Sequence, residues 1–210
     1  MTQAWLDQLK TQRAIAVLRT QDLAIGRNLA HAVVAGGMRL VEITWNSVEP
    51  DRLIAELRET FPDCWIGTGT VLTVADLKAA IACGCQFCFT PHLNPPLIET
   101  AVKAGIPIIP GALTPTEIVT AWQAGASAVK VFPVQAVGGV DYIKALQGPL
   151  GTIPLIPTGG VTLENAKAFI QAGAIAVGLS GQLFPPQLVQ TADWSGIQQR
   201  VAALYQQLHA

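Results

Sequence analysis

Short apolar runs alternate with helix-periodic stretches along the whole chain. The runs Ala14–Arg19, Arg39–Trp45, Trp65–Val71, Phe87–Pro91, Pro107–Ala112, Ala128–Pro133, Pro154–Gly159 and Ala176–Gly181 have strand length and are rich in β-branched residues. Between them, Leu23–Ala35, Pro50–Thr60, Val74–Cys83, Pro96–Ala104, Thr116–Ala124, Gly139–Gln147 and Leu163–Ala172 repeat apolar residues at helical spacing. A last helix is predicted over Trp194–Leu208, and Met1–Lys10 reads as a short amphipathic N-terminal helix. Gly36, Gly84, Gly105, Gly125 and Gly173 follow helical runs, as left-handed C-caps would. Eight strand–helix units predict an α/β fold, a (β/α)8 TIM barrel, in a single domain over residues 1–210. A doubly wound open sheet is the alternative. It would usually carry a glycine-rich turn after the first strand, where this chain has Thr20-Gln21-Asp22.

Composition fits buried parallel strands. Half of the 210 residues are hydrophobic and only 13% are charged, about half the usual charged share. Net charge is −1 with no basic run, so no nucleic-acid partner is expected. The uncharged stretch Ala145–Leu163 is broken by repeated Gly and Pro, and no membrane span is predicted. No leader pattern precedes the first strand, so a cytoplasmic protein is expected. Cys83, Cys85 and Cys88 cluster, with His92 four residues on. A zinc site would need a second cysteine pair or equivalent, so small buried thiols are expected, with neither metal nor cofactor.

The candidate chemistry lies where polar residues interrupt strands. Of six lysines, Lys130 alone falls inside an apolar run, and Glu42 is the one acid inside a predicted strand. Strand residues alternate faces. Leu40, Glu42 and Thr44 then point into the barrel, as do Lys130 and Phe132. Val41, Ile43, Val129 and Val131 pack outward. The second and sixth strands face each other across an eight-stranded ring, so Glu42 and Lys130 converge at its mouth. A buried lysine is costly unless paired or neutral, and a neutral amine attacks carbonyls. A structural ion pair is the alternative for these two residues.

Other rim residues extend the site. Arg19 ends the first strand and suits a two-pronged grip on a carboxylate. Gly67-Thr68-Gly69-Thr70 lets a ligand approach the backbone of the third strand. Thr158-Gly159-Gly160 after the seventh strand, and Gly178-Leu179-Ser180-Gly181 in the eighth, offer N–H and hydroxyl donors suited to phosphate. Thr162 reads as the N-cap of the seventh helix.

These motifs together resemble the 2-keto-3-deoxy-6-phosphogluconate (KDPG) / 2-keto-4-hydroxyglutarate (KHG) aldolase family. The resemblance is carried by Ala16-Val17-Leu18-Arg19, Glu42-Ile43-Thr44, Gly67–Leu72, Thr90-Pro91, Val129–Pro133 and Pro157–Val161. It implies a class I aldolase acting on a small-molecule keto acid, assembled as a homotrimer and using no cofactor. It further implies a Schiff base at Lys130 and proton transfer by Glu42. Thr70, Pro91 and Phe132 would surround the pyruvate moiety. Thr158, Gly159, Gly160, Gly178 and Ser180 would hold phosphate. Asn46-Ser47 and Arg19 match the branch acting on 2-keto-3-deoxy-6-phosphogalactonate, with Arg19 on the carboxylate and Asn46 a polar helper, whereas Thr158 matches the phosphogluconate branch. Another phosphate-binding barrel, an epimerase, isomerase or non-catalytic binding protein, is the competing reading.

Overall fold

The computed structural model describes residues 2–210. Helix α1 (Thr2–Gln12) leads into β1 (Ala14–Leu18), α2 (Leu23–Ala35), β2 (Leu40–Thr44), α3 (Pro50–Thr60), β3 (Trp65–Gly69), α4 (Val74–Ala82), β4 (Cys88–Phe89), α5 (Pro95–Lys103), β5 (Ile108–Ile109) and β6 (Gly111–Ala112). The chain continues through α6 (Pro115–Gln123), β7 (Val129–Val131), a 3-10 turn (Val134–Val137), α7 (Val140–Leu150), β8 (Leu155–Pro157), α8 (Ala166–Gln171), β9 (Val177–Leu179), α9 (Pro186–Gln190) and α10 (Trp194–His209).

The result is an α/β fold in which every strand pair is parallel. The pairs form a six-stranded sheet, β5-β4-β3-β2-β1-β9, and a three-stranded sheet, β6-β7-β8. Where one fifth strand was expected, two short ones appear, separated by Pro110. Proline has no N–H to give a ladder, but its carbonyl still accepts from Lys130 N–H at 2.9 Å. Between the sheets, Thr158 pairs with Gly178 in an isolated parallel bridge, and Ile175 N–H donates to the Leu155 carbonyl at 3.0 Å.

The expected alternation of faces holds strand by strand. Ala14, Ala16, Leu18, Val41, Ile43, Val129, Val131, Leu155, Val177 and Leu179 pack among helix residues in the larger core. Ile15, Val17, Leu40, Phe87, Phe89, Ile109, Ala128, Ile156 and Ala176 form a second core between the strands. Helix α1 closes one end of that inner core. Its Trp5 and Leu9 are fully buried, and Trp5 stacks on Phe87 with ring centroids 4.6 Å apart. Phe87 meets Phe89 edge-on at 5.8 Å, and Lys130 Nζ lies 5.9 Å from the Phe89 ring. An apolar column thus runs from the N-terminal helix to the lysine.

Helix ends differ from expectation at two points. Gly36 is the right-handed C-cap of α2 (φ −76°), and its lack of a side chain admits α10: a Cβ there would stand 2.6 Å from Val201. The left-handed turn falls on Gly37 at φ +102° instead. Helix α8 starts at Ala166 rather than Leu163, and Thr162 caps the turn that leads into it, its carbonyl accepting the Ala166 N–H at 3.1 Å. Thr162 and Asn165 form a reciprocal pair ahead of the helix: Thr162 N–H donates to Asn165 Oδ1 at 2.7 Å, and Asn165 N–H to Thr162 Oγ1 at 3.2 Å.

Candidate active site

Inner-face residues at the C-terminal ends of the strands line a cavity of about 850 Å³. Its wall includes Arg19, Glu42, Thr70, Pro91, Lys130 and Phe132. Thr158, Gly159, Gly160, Gly178 and Ser180 line it as well. Gly67 and Gly69, expected to let a ligand approach the backbone, instead make room for Phe87 and Glu42. All but one of the residues given a catalytic or binding role are brought together. The exception is Asn46, which is exposed on the loop after β2 and does not line the cavity. Alternation ends with the strand, and on this loop Ser47 rather than Asn46 turns inward and is buried.

Lys130 is 7% exposed and Glu42 is 2% exposed. No ion pair or hydrogen bond joins them among the described residues, so the structural ion-pair alternative is not realised. Burial holds the Lys130 amine below its ordinary pKa of 10.5; Glu42's charge opposes that shift and Arg19's reinforces it. Burial raises the Glu42 carboxyl above 4.5, while Lys130 and Arg19 pull it back down. Lys130 Nζ lies 4.7 Å from the Phe132 ring centroid, so an aromatic face flanks the amine. The arrangement supplies a nucleophile with a lowered proton affinity and a carboxyl group able to both accept and return a proton.

Thr70 reaches the cavity by a different route. On β3, the inner-face positions are Gly67 and Gly69, so simple alternation would turn Thr70 away. Its φ of +59° redirects it. A β-branched residue in that region is strained, and such strain clusters at functional sites.

After β8, Gly159 (φ +79°) and Gly160 (φ +99°) form a turn that residues with a Cβ rarely adopt. No hydrogen bond engages their N–H groups among the described residues, leaving two donors for an anion. Asn165 Nδ2 ties down the Gly160 carbonyl at 3.0 Å. Sequence reasoning missed Asn165, although its three-residue spacing from Thr162 was an available signal. It also missed Gln135 and Gln182, both cavity-lining carboxamides with no pattern to mark them.

The cysteines take no part. Cys85 and Cys88 are buried, with burial pushing the Cys85 thiol up to about 12 and raising the Cys88 thiol well above its ordinary value. Among the described residues no three His, Cys, Asp or Glu side chains converge as a metal site.

Residues 6–200 match the family model described as KDPG and KHG aldolase. The chain belongs to the KDPG and KHG aldolase family. It is therefore an aldolase, a carbon–carbon lyase. A 2-dehydro-3-deoxy-phosphogluconate aldolase of Treponema pallidum is 33% identical over 201 residues, covering 96% of this chain and 94% of the relative. A 2-dehydro-3-deoxy-6-phosphogalactonate aldolase of Escherichia coli is 40% identical over 176 residues, covering 81% and 83%. Among solved structures, the KDPG aldolase of Legionella pneumophila, with pyruvate captured at low pH as a covalent carbinolamine, superposes with a TM-score of 0.88. That match is at 28% identity and covers 95% of this chain and 97% of that one. No helix among the described residues of this aldolase is long and apolar enough to cross a membrane.

Proposed function

We propose that this aldolase works through a Schiff base on Lys130 and cleaves a 2-keto-3-deoxy-6-phospho sugar acid to pyruvate and glyceraldehyde 3-phosphate. 4-Hydroxy-2-oxoglutarate, split to pyruvate and glyoxylate, would use the same chemistry. The observation that carries the reading is the burial of Lys130 and Glu42 in the lining of one cavity without an ion pair between them. The covalent pyruvate carbinolamine of the Legionella enzyme supports it, since that is the adduct an amine forms with a ketone.

In this mechanism the neutral Lys130 amine adds to the C2 ketone, and loss of water gives an iminium. Glu42 takes the proton of the C4 hydroxyl, the C3–C4 bond breaks, and its electrons flow to the iminium nitrogen. The aldehyde leaves. The remaining enamine takes a proton back from Glu42 at C3, and water releases pyruvate and regenerates the amine. Arg19 pairs with the substrate carboxylate. Thr70, Pro91 and Phe132 enclose the pyruvate moiety. Thr158, Gly159, Gly160, Gly178 and Ser180 receive the phosphate.

The wider reading is a single domain, residues 1–210, whose strands close into a (β/α)8 barrel, working as a cytoplasmic homotrimer. Closure is supported by the Thr158–Gly178 bridge and by the direct succession of β5 and β6. A second substrate reading is the phosphogalactonate epimer, favoured by Arg19, Asn46-Ser47 and the 40% identical galactonate relative. Side-by-side cleavage of the gluconate and galactonate phosphates and hydroxyoxoglutarate, read as pyruvate released, decides among them. Pyruvate from none of the three would overturn the reading.

A further inference from the structure

The loop after β2 touches the site indirectly, through Ser47. This side chain does not line the cavity, yet it is 9% exposed and sits at the centre of a buried polar triangle. Its Oγ accepts the Thr20 N–H at 3.2 Å and lies 3.1 Å from Thr44 Oγ1. Its own N–H donates to the Thr44 carbonyl at 2.9 Å, and the next residue, Val48, donates to the Thr20 carbonyl at 3.0 Å. Both backbone groups of Thr20 are thus held by two consecutive residues of the neighbouring loop. The Thr20 hydroxyl is also used: it donates to the Asp22 carbonyl at 2.7 Å and accepts the Asp22 N–H at 3.1 Å.

Thr20 directly follows Arg19. The Arg19 side chain is exposed, lines the cavity, and makes no hydrogen bond or ion pair among the described residues. Nothing on the protein side fixes its guanidinium, so its placement depends on the backbone that carries it. That backbone is anchored on one side by β1 and on the other by the clamp on Thr20.

We infer that Ser47 is a positioning residue: its hydroxyl clamps the Thr20 peptide and so holds Arg19 where it meets the substrate carboxylate. The inference rests on the reading of Arg19 given above. Removing the hydroxyl would leave a buried N–H without an acceptor, and the loop would move to satisfy it, taking Arg19 along.

The test is a double-mutant cycle read as the pyruvate concentration that half-saturates borohydride trapping. Trapping by the unsubstituted protein and its weakening in Arg19→Ala check the underlying reading separately. Ser47→Ala is expected to raise the half-saturating concentration about five- to tenfold, the effect of one hydrogen bond, while leaving the maximal extent of trapping unchanged. In an Arg19→Ala background the same change is expected to have no further effect. Thr44→Val removes the second leg of the triangle with little change of shape and is expected to act in the same direction, again only when Arg19 is present. It serves as the test if Ser47→Ala does not fold. Equal effects with and without Arg19, or no effect of either hydroxyl, would overturn the inference.

Discussion

The Glu42 carboxyl lies directly over the α-carbon of Gly69, and a methyl group there would overlap Glu42 Oε1. The two residues belong to neighbouring parallel strands, β2 and β3. The glycine leaves the space in which the carboxyl sits. Gly69→Ala is therefore expected to push Glu42 off its position while leaving Lys130, on β7, in place. Turnover should fall at least tenfold with borohydride trapping of pyruvate retained, since proton transfer depends on hydrogen-bond reach. Normal turnover in Gly69→Ala would show that Glu42 tolerates displacement.

Glu42→Gln removes the proton-transfer group but keeps its shape. Trapping should persist and turnover should drop by roughly 10²–10⁴-fold. A drop in trapping equal to the drop in turnover would place Glu42 in amine activation instead.

Arg19 depresses the proton affinity of both buried groups. Arg19→Ala should consequently raise the pKa of each. The pH at which trapping reaches half its maximal rate, set by the Lys130 amine becoming neutral, should move up, still below 10.5 because burial is the larger cause. The acid limb of kcat/KM, set by Glu42 becoming ionised, should move up as well. A downward shift of either limb contradicts this account of the electrostatics.

Folding stability should carry the mark of the same two groups. The Lys130 amine is lowered in the folded state, so the unfolded chain binds more protons and stability rises with pH from the folded pKa up to 10.5. Glu42 is raised, so its contribution falls as pH climbs from 4.5 through its folded pKa. Lys130→Met removes the first dependence and is expected to be more stable at neutral pH, by about 1 kcal/mol, the usual scale for relieving a functional compromise. Urea titrations across pH check both the gain and the flattened slope.

Trp5 is fully buried, yet its indole N–H has no hydrogen-bond partner. Trp5→Ala should cost about 3–5 kcal/mol by opening the floor beneath Phe87. Trp5→Phe should cost under about 2 kcal/mol, because it also removes the unpartnered donor. Equal losses, measured by urea unfolding, would mean the indole ring's volume alone decides.

The site was legible where strand alternation governs. Lys130 and Glu42 are polar residues at inner-face positions of apolar runs, and parity alone aimed them at one cavity. Phe132 followed by the same rule, whereas Arg19 and Thr158 were read from their places at strand ends. Parity stops at the strand end: Thr70 was expected from the resemblance and not from alternation, and the one misplaced residue, Asn46, lies there. Thr70 enters through a left-handed backbone that no pattern announces, and Ser47 rather than Asn46 turns inward on a loop shaped by contacts with Thr20. Pro110 splits a strand that the apolar run alone showed as continuous. Gln135 settles beside Gly160 because that glycine leaves room, a relation between residues far apart in the chain.

The central claim, that Lys130 is the Schiff-base nucleophile, is tested most directly by reducing the protein with borohydride in the presence of pyruvate, digesting it and locating the adduct by mass. The adduct is expected on Lys130 alone and is expected to vanish in Lys130→Met. Label on another lysine, or none in the unsubstituted protein, would contradict the account.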